Sequence, residues 1–183
     1  MSYSKKYYKQ TICPILKKEF KLKNDFEVPK IIKIVVNSGI GKISKESKDS
    51  TETVFNDIKK ITGQQPIYTK SNKAISGFKL RQGDIVGVKV TLRGQKMYDF
   101  LEKLIKIVFP RIRDFRGIKK SAIDNNGNIN IGIREHTVFP EIKIETVKNV
   151  FSLQVCITTD ANTKKQAKKL MEAFGAVFEK SSN

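Results

Sequence analysis

The sequence predicts an α+β fold: an open antiparallel sheet that is covered by helices on one face and presents a polar, cationic surface on the other. Two observations carry this prediction. Several short runs alternate apolar and polar residues, which is typical of strands with one buried face, and longer runs repeat apolar residues at helical spacing. Along the chain these runs follow the order helix, strand, helix, strand, strand, helix, strand, strand, helix, which lets helices cover one side of a sheet.

The size and charge of the chain narrow its class. With 183 residues it is predicted to form one domain over residues 1–183, with an N-terminal helical segment 1–24 and an α+β body 25–183. Lysine and arginine number 36 against 18 aspartate and glutamate, a net charge of +18. This excess favours a polyanionic ligand, either nucleic acid or an acidic membrane surface. No apolar run approaches the roughly 20 residues that span a bilayer, so membrane partners are not expected.

The N-terminal segment is predicted to be helical. Residues 1–24 place apolar side chains at loosely helical spacing around Pro14, which indicates a short kinked or two-part helix. Its lysines either contact RNA or are simply solvated, and the sequence favours neither. Cys13 and Cys156 lie far apart and fit neither a disulfide framework nor a metal motif, so both are expected to be small buried residues.

The first strand is predicted over 31–37, where Ile32, Ile34 and Val36 face one way and Lys33, Val35 and Asn37 face the other. The glycines in 38–42 invite comparison with a phosphate-binding loop. The spacing G-x-x-x-x-G-K-[ST] that such a loop needs is missing. A tight turn that leaves the strand is therefore predicted.

A second helix is predicted over 51–62, because its apolar residues repeat at helical spacing. Ser47 or Ser50 is expected to cap its start, and Gly63 to end it. A short strand follows over 64–69.

The stretch 78–94 is predicted to be the centre of the binding surface. Its second half alternates aliphatic and polar or small residues, with Val86, Val88, Val90 and Leu92 on one face and Gly87, Lys89, Thr91 and Arg93 on the other. Residues 78–81 precede a turn signal at 82–84, so a hairpin between 78–81 and the strand that follows is predicted. Between positions 70 and 96 seven basic residues stand against the single acid Asp84.

The second half of the chain continues the alternation of helices and strands. Residues 97–108 repeat apolar side chains in the clearest helical pattern of the chain, which Pro110 is expected to end. The remaining predicted elements are a turn at 124–127, strands over 128–134 and 151–159, and a last helix that begins at the capping box of Thr163 and Gln166.

The loop 109–117 combines arginines with aromatic residues. Its arginines are Arg111, Arg113 and Arg116. Guanidinium groups fork onto phosphates and aromatic rings stack on bases, so this basic-aromatic loop is a candidate RNA contact. Alternatively, Phe109, Ile112 and Phe115 anchor the loop while Asp114 pairs with an arginine. The two interpretations are compatible.

Binding, and not catalysis, is the predicted function. The side of the sheet that the helices leave open is expected to present Lys33, Asn37, Lys89, Thr91, Arg93, Asn130 and Arg134. His136 is the only histidine, and no nucleophile or metal motif accompanies it. It is expected to be a solvated or partly packed residue at a strand edge. No enzyme activity, cofactor or metal is predicted.

Several motifs between positions 61 and 142 resemble one known family in the same order. They are ITGQQP (61–66), GFKLR (77–81), VTLRG (90–94), PRIRDFRG (110–117), GN (127–128) and FPEI (139–142). The family is the bacterial-type ribosomal protein number five of the large subunit, which holds 5S rRNA in the central protuberance. Weaker similarity extends the resemblance over nearly the whole chain, and the sequence departs from the family pattern at 121–129 and 151–152.

The resemblance implies a structural RNA-binding subunit that binds 5S rRNA and large-subunit rRNA. In that family the residues matching Asn37, Gln64 and Thr91 lie on the surface that binds 5S rRNA. The alternation of apolar and polar residues already places Asn37 and Thr91 on the open, polar side of the predicted sheet. Together with the neighbouring cations, the predicted rRNA-binding residues are Asn37, Gln64, Lys89, Thr91, Arg93 and Arg134.

The resemblance also implies further partners. The matching loop reaches P-site transfer RNA, and its residues here are Asn72, Lys73, Ala74, Ile75, Ser76, Gly77, Phe78 and Lys79. The region after the central helix lies near small-subunit head protein number thirteen in an intersubunit bridge, and other central-protuberance proteins are close by. The expected location is a ribosome of the bacterial cytoplasm or of a plastid or mitochondrion. An RNA-binding regulator or chaperone of the same fold, acting outside the ribosome, is the alternative.

Overall fold

The computed structural model describes residues 3–41, 48–78, 80–147 and 149–179. The strands in these ranges are β1 (Ile31–Gly39), β2 (Ile67–Lys70), β3 (Ile85–Leu92), β4 (Ile129–Ile133) and β5 (Leu153–Thr159). They form an open antiparallel sheet in the order β2-β3-β1-β5-β4. The predicted α+β class is confirmed, and apart from short 3₁₀ turns the predicted order of helices and strands is confirmed as well.

Two of the helices pass through a proline. Helix α1 consists of Lys5–Tyr7, Tyr8–Ile12 and Cys13–Phe20, and helix α3 consists of Gly94–Lys103, Leu104–Val108 and Phe109–Arg111. The middle segment of each is π-helical, and Pro14 and Pro110 stand two residues after its end. A proline ring clashes with the carbonyl four residues earlier, which belongs to Gln10 or Lys106, and the wider π turn relieves that clash. Helix α3 therefore continues to Arg111, and the prediction that Pro110 ends it is wrong.

The other helices, α2 (Lys48–Thr62) and α4 (Lys164–Ala173), follow their predicted end signals. Gly63 ends α2 with a φ of +64° and donates its N–H to the Lys59 carbonyl at 2.9 Å. The hydroxyl of Thr163 caps α4 by accepting the N–H of Gln166 at 3.2 Å. Ser50 lies inside α2 and is not its cap, and Ser47 lies outside the described residues.

The predicted partner of β3 is wrong. β3 pairs antiparallel with β2, and Ile67 stands opposite Lys89 while Thr69 stands opposite Gly87. The described residues of 78–81 belong to no strand. The expected strand at 64–69 is instead β2, shifted toward the C-terminus, so the hairpin has a longer loop than the sequence predicted.

The turn before β3 is confirmed. Asp84 donates its N–H to the Arg81 carbonyl at 3.3 Å, and Gly83 has a φ of +90°. Asp84 Oδ2 also accepts the Arg81 N–H at 2.7 Å. Asp84, the single acid of this basic stretch, thus stabilises the turn by accepting a hydrogen bond from the Arg81 backbone.

Strand β1 differs from its predicted pattern at both ends. Ile34 and Val36 are buried as predicted, but Ile32 is 41% exposed and Ile31 is buried instead. The inward face therefore changes phase at the start of β1, which an alternating pattern does not show. At the other end, β1 runs to Gly39 and Ile40 donates its N–H to the Val86 carbonyl at 3.0 Å, so the strand pairing extends into the segment that was predicted to turn.

The chain falls into two compact units made of discontinuous segments. Unit 1 comprises Met1–Ile34, Leu92–Ile131 and Cys156–Asn183, and unit 2 comprises Val35–Thr91 and Gly132–Val155. Unit 1 buries the predicted apolar stripe of α3, which is Met97, Phe100, Leu101, Leu104, Ile105 and Val108. Unit 2 buries the matching stripe of α2, which is Val54, Ile58 and Ile61. The prediction of a single domain stays a prediction.

Candidate nucleic-acid interface

The centre of the candidate interface is strand β3 in unit 2. Val88 and Val90 are buried, whereas Lys89 is exposed and Thr91 is half-buried. Because successive side chains of a strand point to opposite sides, β3 has one inward aliphatic side and one outward polar side, as predicted. The binding role of that outward side stays a prediction.

Strand β2 adds two residues that sequence reasoning missed. Residues directly opposite each other in an antiparallel pair point to the same side of the sheet. The register therefore places Ile67 beside Lys89 and Thr69 beside Gly87. Ile67 is 57% exposed and Thr69 is half-buried. A run of four residues contains too little alternation to reveal this register.

Asn37 of β1 joins the same surface next to Gly87. A Cβ atom built on Gly87 lies 3.8 Å from Asn37 Oδ1 and 2.6 Å from Thr69 Oγ1. The two side-chain oxygens therefore lie close to one point on the outward side of β3. We call this surface the polar face, and it consists of Asn37, Ile67, Thr69, Gly87, Lys89 and Thr91.

Gln64 is tied to the end of β3. Its Nε2 donates a hydrogen bond to the Thr91 carbonyl at 2.9 Å. The left-handed Gly63 turns the chain after α2, and the Thr62 hydroxyl lies 3.3 Å from the Gln64 carbonyl. The predicted residues Gln64 and Thr91 are therefore brought together, with the Gln64 amide nitrogen used internally.

The polar face has unused hydrogen-bonding capacity. Within the described ranges, the Asn37 amide and the hydroxyls of Thr69 and Thr91 have no hydrogen-bond partner. All three side chains are half-buried and keep access to solvent. An amide and a hydroxyl both donate and accept, so these groups can satisfy either partner of a polar ligand.

The charge of unit 2 is less concentrated on the polar face than the sequence suggested. Lys89 is exposed, and Arg134 is exposed just after β4. Neither makes an ion pair with any described residue. Arg93 and Lys33 belong to unit 1, where Arg93 is exposed immediately before α3. The polar face is thus mainly neutral.

The loop between β2 and β3 closes on itself. Ser71 donates its N–H to the Asp84 carbonyl at 2.8 Å at the base of the loop. Nearer the tip, Ile75 and Leu80 exchange backbone hydrogen bonds at 3.0 and 3.1 Å. These backbone hydrogen bonds take the place of the strand pairing that a longer hairpin would provide. They give the loop a defined shape.

The tip of this loop carries the residues assigned to transfer RNA. Residues 72–77 are all exposed, and Ile75 is 46% exposed. Lys79 and the side chain of Phe78 lie outside the described residues. Exposure is compatible with a ligand contact, and the contact itself stays a prediction.

The basic-aromatic loop belongs to unit 1 and is held by its aromatic residues. The buried ring of Phe109 stacks on the half-buried ring of Phe115, with centroids 4.8 Å apart and planes 16° apart. Both rings are used in this anchor. Asp114 has a φ of +58° and makes no ion pair with a described residue, so the expected pairing with an arginine is not found.

Three cations are left exposed by this anchor. They are Arg111, Arg113 and Arg116, which we call the arginine loop. The part of the alternative in which aromatic residues hold the loop is confirmed by the stacking of Phe109 on Phe115, whereas its pairing of Asp114 with an arginine is not found among the described residues. Contact of the arginines with phosphate stays a prediction.

The prediction that His136 is solvated or partly packed is wrong. It is fully buried, its ring stacks on Phe151 with centroids 3.9 Å apart, and Nδ1 accepts the Phe151 N–H at 3.4 Å. Nε2 lies 3.9 Å from Asp57 Oδ2 and has no hydrogen-bond partner in the described part of the chain. Burial lowers the pKa of His136 below its ordinary value of 6.5, although the charge of Asp57 opposes this shift.

The described residues contain neither a cluster suited to a metal ion nor a helix suited to crossing a membrane. Groups of three or more histidine, cysteine, aspartate or glutamate side chains suited to a metal ion are not found among them. Cys13 is buried and Cys156 is half-buried, and both are free thiols. No helix within the described ranges has the length and apolar character needed to cross a membrane.

These features define a basic α+β protein with hydrogen-bonding groups on an open sheet. Comparison with known proteins makes the class specific. Residues 24–81 match the family model described as "Ribosomal protein L5", and residues 85–178 match the model that describes the C-terminus of the same family. The chain belongs to this ribosomal protein L5 family, which is not a family of enzymes.

Curated relatives cover almost the entire chain. The chain is 46% identical to "Large ribosomal subunit protein uL5" of Halothermothrix orenii over 97% of its own length and 99% of the relative. It is 47% identical to the protein of the same name from Dehalococcoides mccartyi over 91% of its length and 93% of the relative. "Large ribosomal subunit protein uL5c" of Spinacia oleracea is 46% identical over 96% of the chain and 67% of the relative. The predicted family is confirmed.

Proposed function

We propose that this protein is a constituent of the large ribosomal subunit, in a bacterium or in an organelle of bacterial descent, where it binds 5S rRNA and attaches it in the central protuberance. Family membership and the names of the relatives support the subunit. The observation that carries the RNA contact is the polar face, where Asn37 and Thr91 present hydrogen-bonding groups without a partner among the described residues.

RNA binding divides between hydrogen bonds and charge. Asn37 and Thr91 bond to ribose or base edges, and the side-chain carbonyl oxygen of Gln64, Oε1, adds an acceptor beside Thr91. Lys89, Arg93 and Arg134 neutralise phosphates, which are sequence-independent contacts. Contacts with large-subunit rRNA use the same kinds of group.

Two further contacts follow from the family resemblance. The loop tip, residues 72–79, reaches the P-site transfer RNA, and the exposure of residues 72–77 and the closure of the loop at Ser71 and Asp84 support this contact. The region after residue 108, which contains the arginine loop, lies near small-subunit head protein number thirteen in an intersubunit bridge. Other proteins of the central protuberance are neighbours there.

Binding to isolated 5S rRNA tests the main proposal. Asn37→Ala is expected to weaken binding by about tenfold, since one or two hydrogen bonds are lost. Asn56→Ala is the matched control, because Asn56 is an exposed asparagine on α2 of the same unit. Wild-type affinity for Asn37→Ala, measured by filter binding at one salt concentration, overturns the assigned role of the polar face.

Sedimentation of a cell extract tests the ribosomal location. The protein is expected in the large-subunit fraction together with 5S rRNA. A protein that binds RNA but sediments free of ribosomal particles would instead support the extra-ribosomal regulator or chaperone.

A further inference from the structure

We propose that Thr69 is a further RNA-contacting residue of the polar face, and that Gly87 is the positioning residue that holds the Thr69 hydroxyl beside the Asn37 amide. This inference rests on the proposed function of the polar face. It extends the contact surface from β1 and β3 to the edge strand β2.

The surroundings of Gly87 leave no room for a side chain at this position. Gly87 lies on β3 between positions that point inward, so a Cβ atom there points to the polar face. That atom lies 2.6 Å from Thr69 Oγ1 and 2.9 Å from the Ser38 carbonyl oxygen. Both distances are too short for a carbon and an oxygen that are not bonded. Gly87 is therefore glycine because its neighbours occupy the space.

The Thr69 side chain occupies the space on the outward side of Gly87. The Thr69 side chain covers Gly87, which is buried although it lies on the outward side of β3. Thr69 Oγ1 and Asn37 Oδ1 are both within 4 Å of the same point. Neither side chain has a hydrogen-bond partner among the described residues. A hydroxyl and an amide side by side can both bond to one ribose or base edge.

Among the described strand glycines of unit 2, only Gly87 has neighbouring atoms this close to a built Cβ atom. A Cβ atom built on Gly39 of β1 or on Gly132 of β4 meets no atom within 4 Å. Both glycines are exposed strand residues of the same unit. They are therefore matched controls for the effect of adding a methyl group.

Thr69→Val tests the contact, because valine keeps the shape of threonine and removes the hydroxyl. Binding to 5S rRNA is expected to weaken by about fivefold to tenfold. The slope of log affinity against log salt concentration is expected to stay unchanged, since no phosphate contact is lost. Thr137→Val, at another half-buried threonine of unit 2, is the control and is expected to bind like the wild type. Wild-type affinity for Thr69→Val overturns the contact.

Gly87→Ala tests the positioning role. The added methyl group is expected to weaken binding by about tenfold while Gly132→Ala binds normally, because only the first displaces Thr69. In the double variant Gly87→Ala with Thr69→Val, the two losses are expected to be less than additive, since both act through the same hydroxyl. Full additivity overturns the positioning role. Circular dichroism and thermal unfolding establish that each variant is folded.

The test separates this inference from the function on which it rests. If Asn37→Ala weakens binding and Thr69→Val does not, the proposed function holds and the inference about Thr69 is wrong. If the wild-type protein does not bind 5S rRNA, both are wrong. Should Gly87→Ala fail to fold, the double variant Asn37→Ala with Thr69→Val replaces it, and less-than-additive losses support the shared contact while additive losses overturn it.

Discussion

The polar face of unit 2 lies on paired strands and offers mostly neutral hydrogen-bonding groups, whereas the arginine loop of unit 1 lies at the end of α3 and on the irregular chain that follows, and offers three exposed cations. Neutral groups act over one hydrogen-bond length and need a fixed frame, which the ladder between β2 and β3 provides. Cations attract phosphate over longer distances and need no such frame. The difference suggests that selectivity and attraction belong to different parts of this protein.

The arginine loop nevertheless has its own supports. At its start, Phe109 stacks on Phe115. At its end, Ile118 accepts the Glu179 N–H at 3.0 Å and donates to the Val177 carbonyl at 2.8 Å. Gly117 between them has a φ of +115°, and a Cβ atom there lies 2.6 Å from the backbone nitrogen of Glu179. The cations thus stand on a short loop that is fixed at both ends.

Removing the aromatic support is expected to have the largest effect. Phe109→Ala deletes a buried ring that stacks on Phe115, so the free energy of unfolding is expected to fall by about 3–5 kcal/mol. Phe26→Ala is the control, because Phe26 is 94% exposed and its loss should change stability by less than about 0.5 kcal/mol. Urea unfolding measures both. Equal stability of the two variants contradicts the anchoring role of Phe109.

Neutralising the arginine loop is expected to have the next largest effect. Replacing Arg111, Arg113 and Arg116 together by glutamine should flatten the log-log salt slope of 5S rRNA binding by roughly 2 to 3, with about a hundredfold loss of affinity at low salt. The same loss of charge at the exposed residues Lys5, Lys6 and Lys9 of unit 1 is the control. If both triple variants flatten the slope equally, the arginine loop contributes only its share of the net charge and the comparison between the two regions fails.

Single changes on the polar face sharpen the comparison further. Lys89→Ala is expected to flatten the salt slope by about one unit, because one phosphate contact is lost. Thr91→Val is expected to weaken binding by about fivefold with the slope unchanged, because its hydroxyl meets no phosphate in the proposed contact. Salt titrations of both variants against the wild type provide the measurement. A changed slope for Thr91→Val would mean that the Thr91 hydroxyl contacts a phosphate. The distinction between neutral contacts on the polar face and phosphate contacts of the cations would then be lost.

The sequence predicted the parts of the fold that depend on local periodicity. The stripe of α3 and the alternation of Ile129, Ile131 and Ile133 in β4 were found as predicted, because each element buries one side of itself. The sequence also placed Asn37 and Thr91 on the outward side of the sheet. Family motifs added Gln64, whose contact with Thr91 no periodicity reveals.

The parts that failed depend on contacts between distant segments. The partner of β3, the position of Thr69 on the polar face and the burial of His136 all follow from register and packing. A histidine in a polar stretch carries no local signal that a phenylalanine fifteen positions later will cover it. In the same way, a proline in a helical pattern gives no indication of the π turn that allows α3 to continue past Pro110.

The smallest expected effect concerns pH and separates stability from binding. His136 is buried and its pKa is lowered, chiefly by desolvation, while the charges of Asp57 and Glu135 oppose the shift. The unfolded chain therefore binds a proton near pH 6.5 before the folded protein does. The stabilising contribution of the neutral ring is complete above pH 6.5 and is lost as the pH falls toward the lowered pKa.

His136→Asn isolates this contribution, because asparagine keeps an acceptor near the position of Nδ1 for the Phe151 N–H and does not titrate. Between pH 8 and pH 5.5 the wild type is expected to lose stability relative to the variant as the pH falls, by urea unfolding at each pH. Binding to 5S rRNA at pH 8 and pH 7 should be equal, since His136 is fully buried and is not part of the polar face. If the wild type instead gains stability toward pH 5.5, the ion pair with Asp57 outweighs burial and the protonated ring is the stable form.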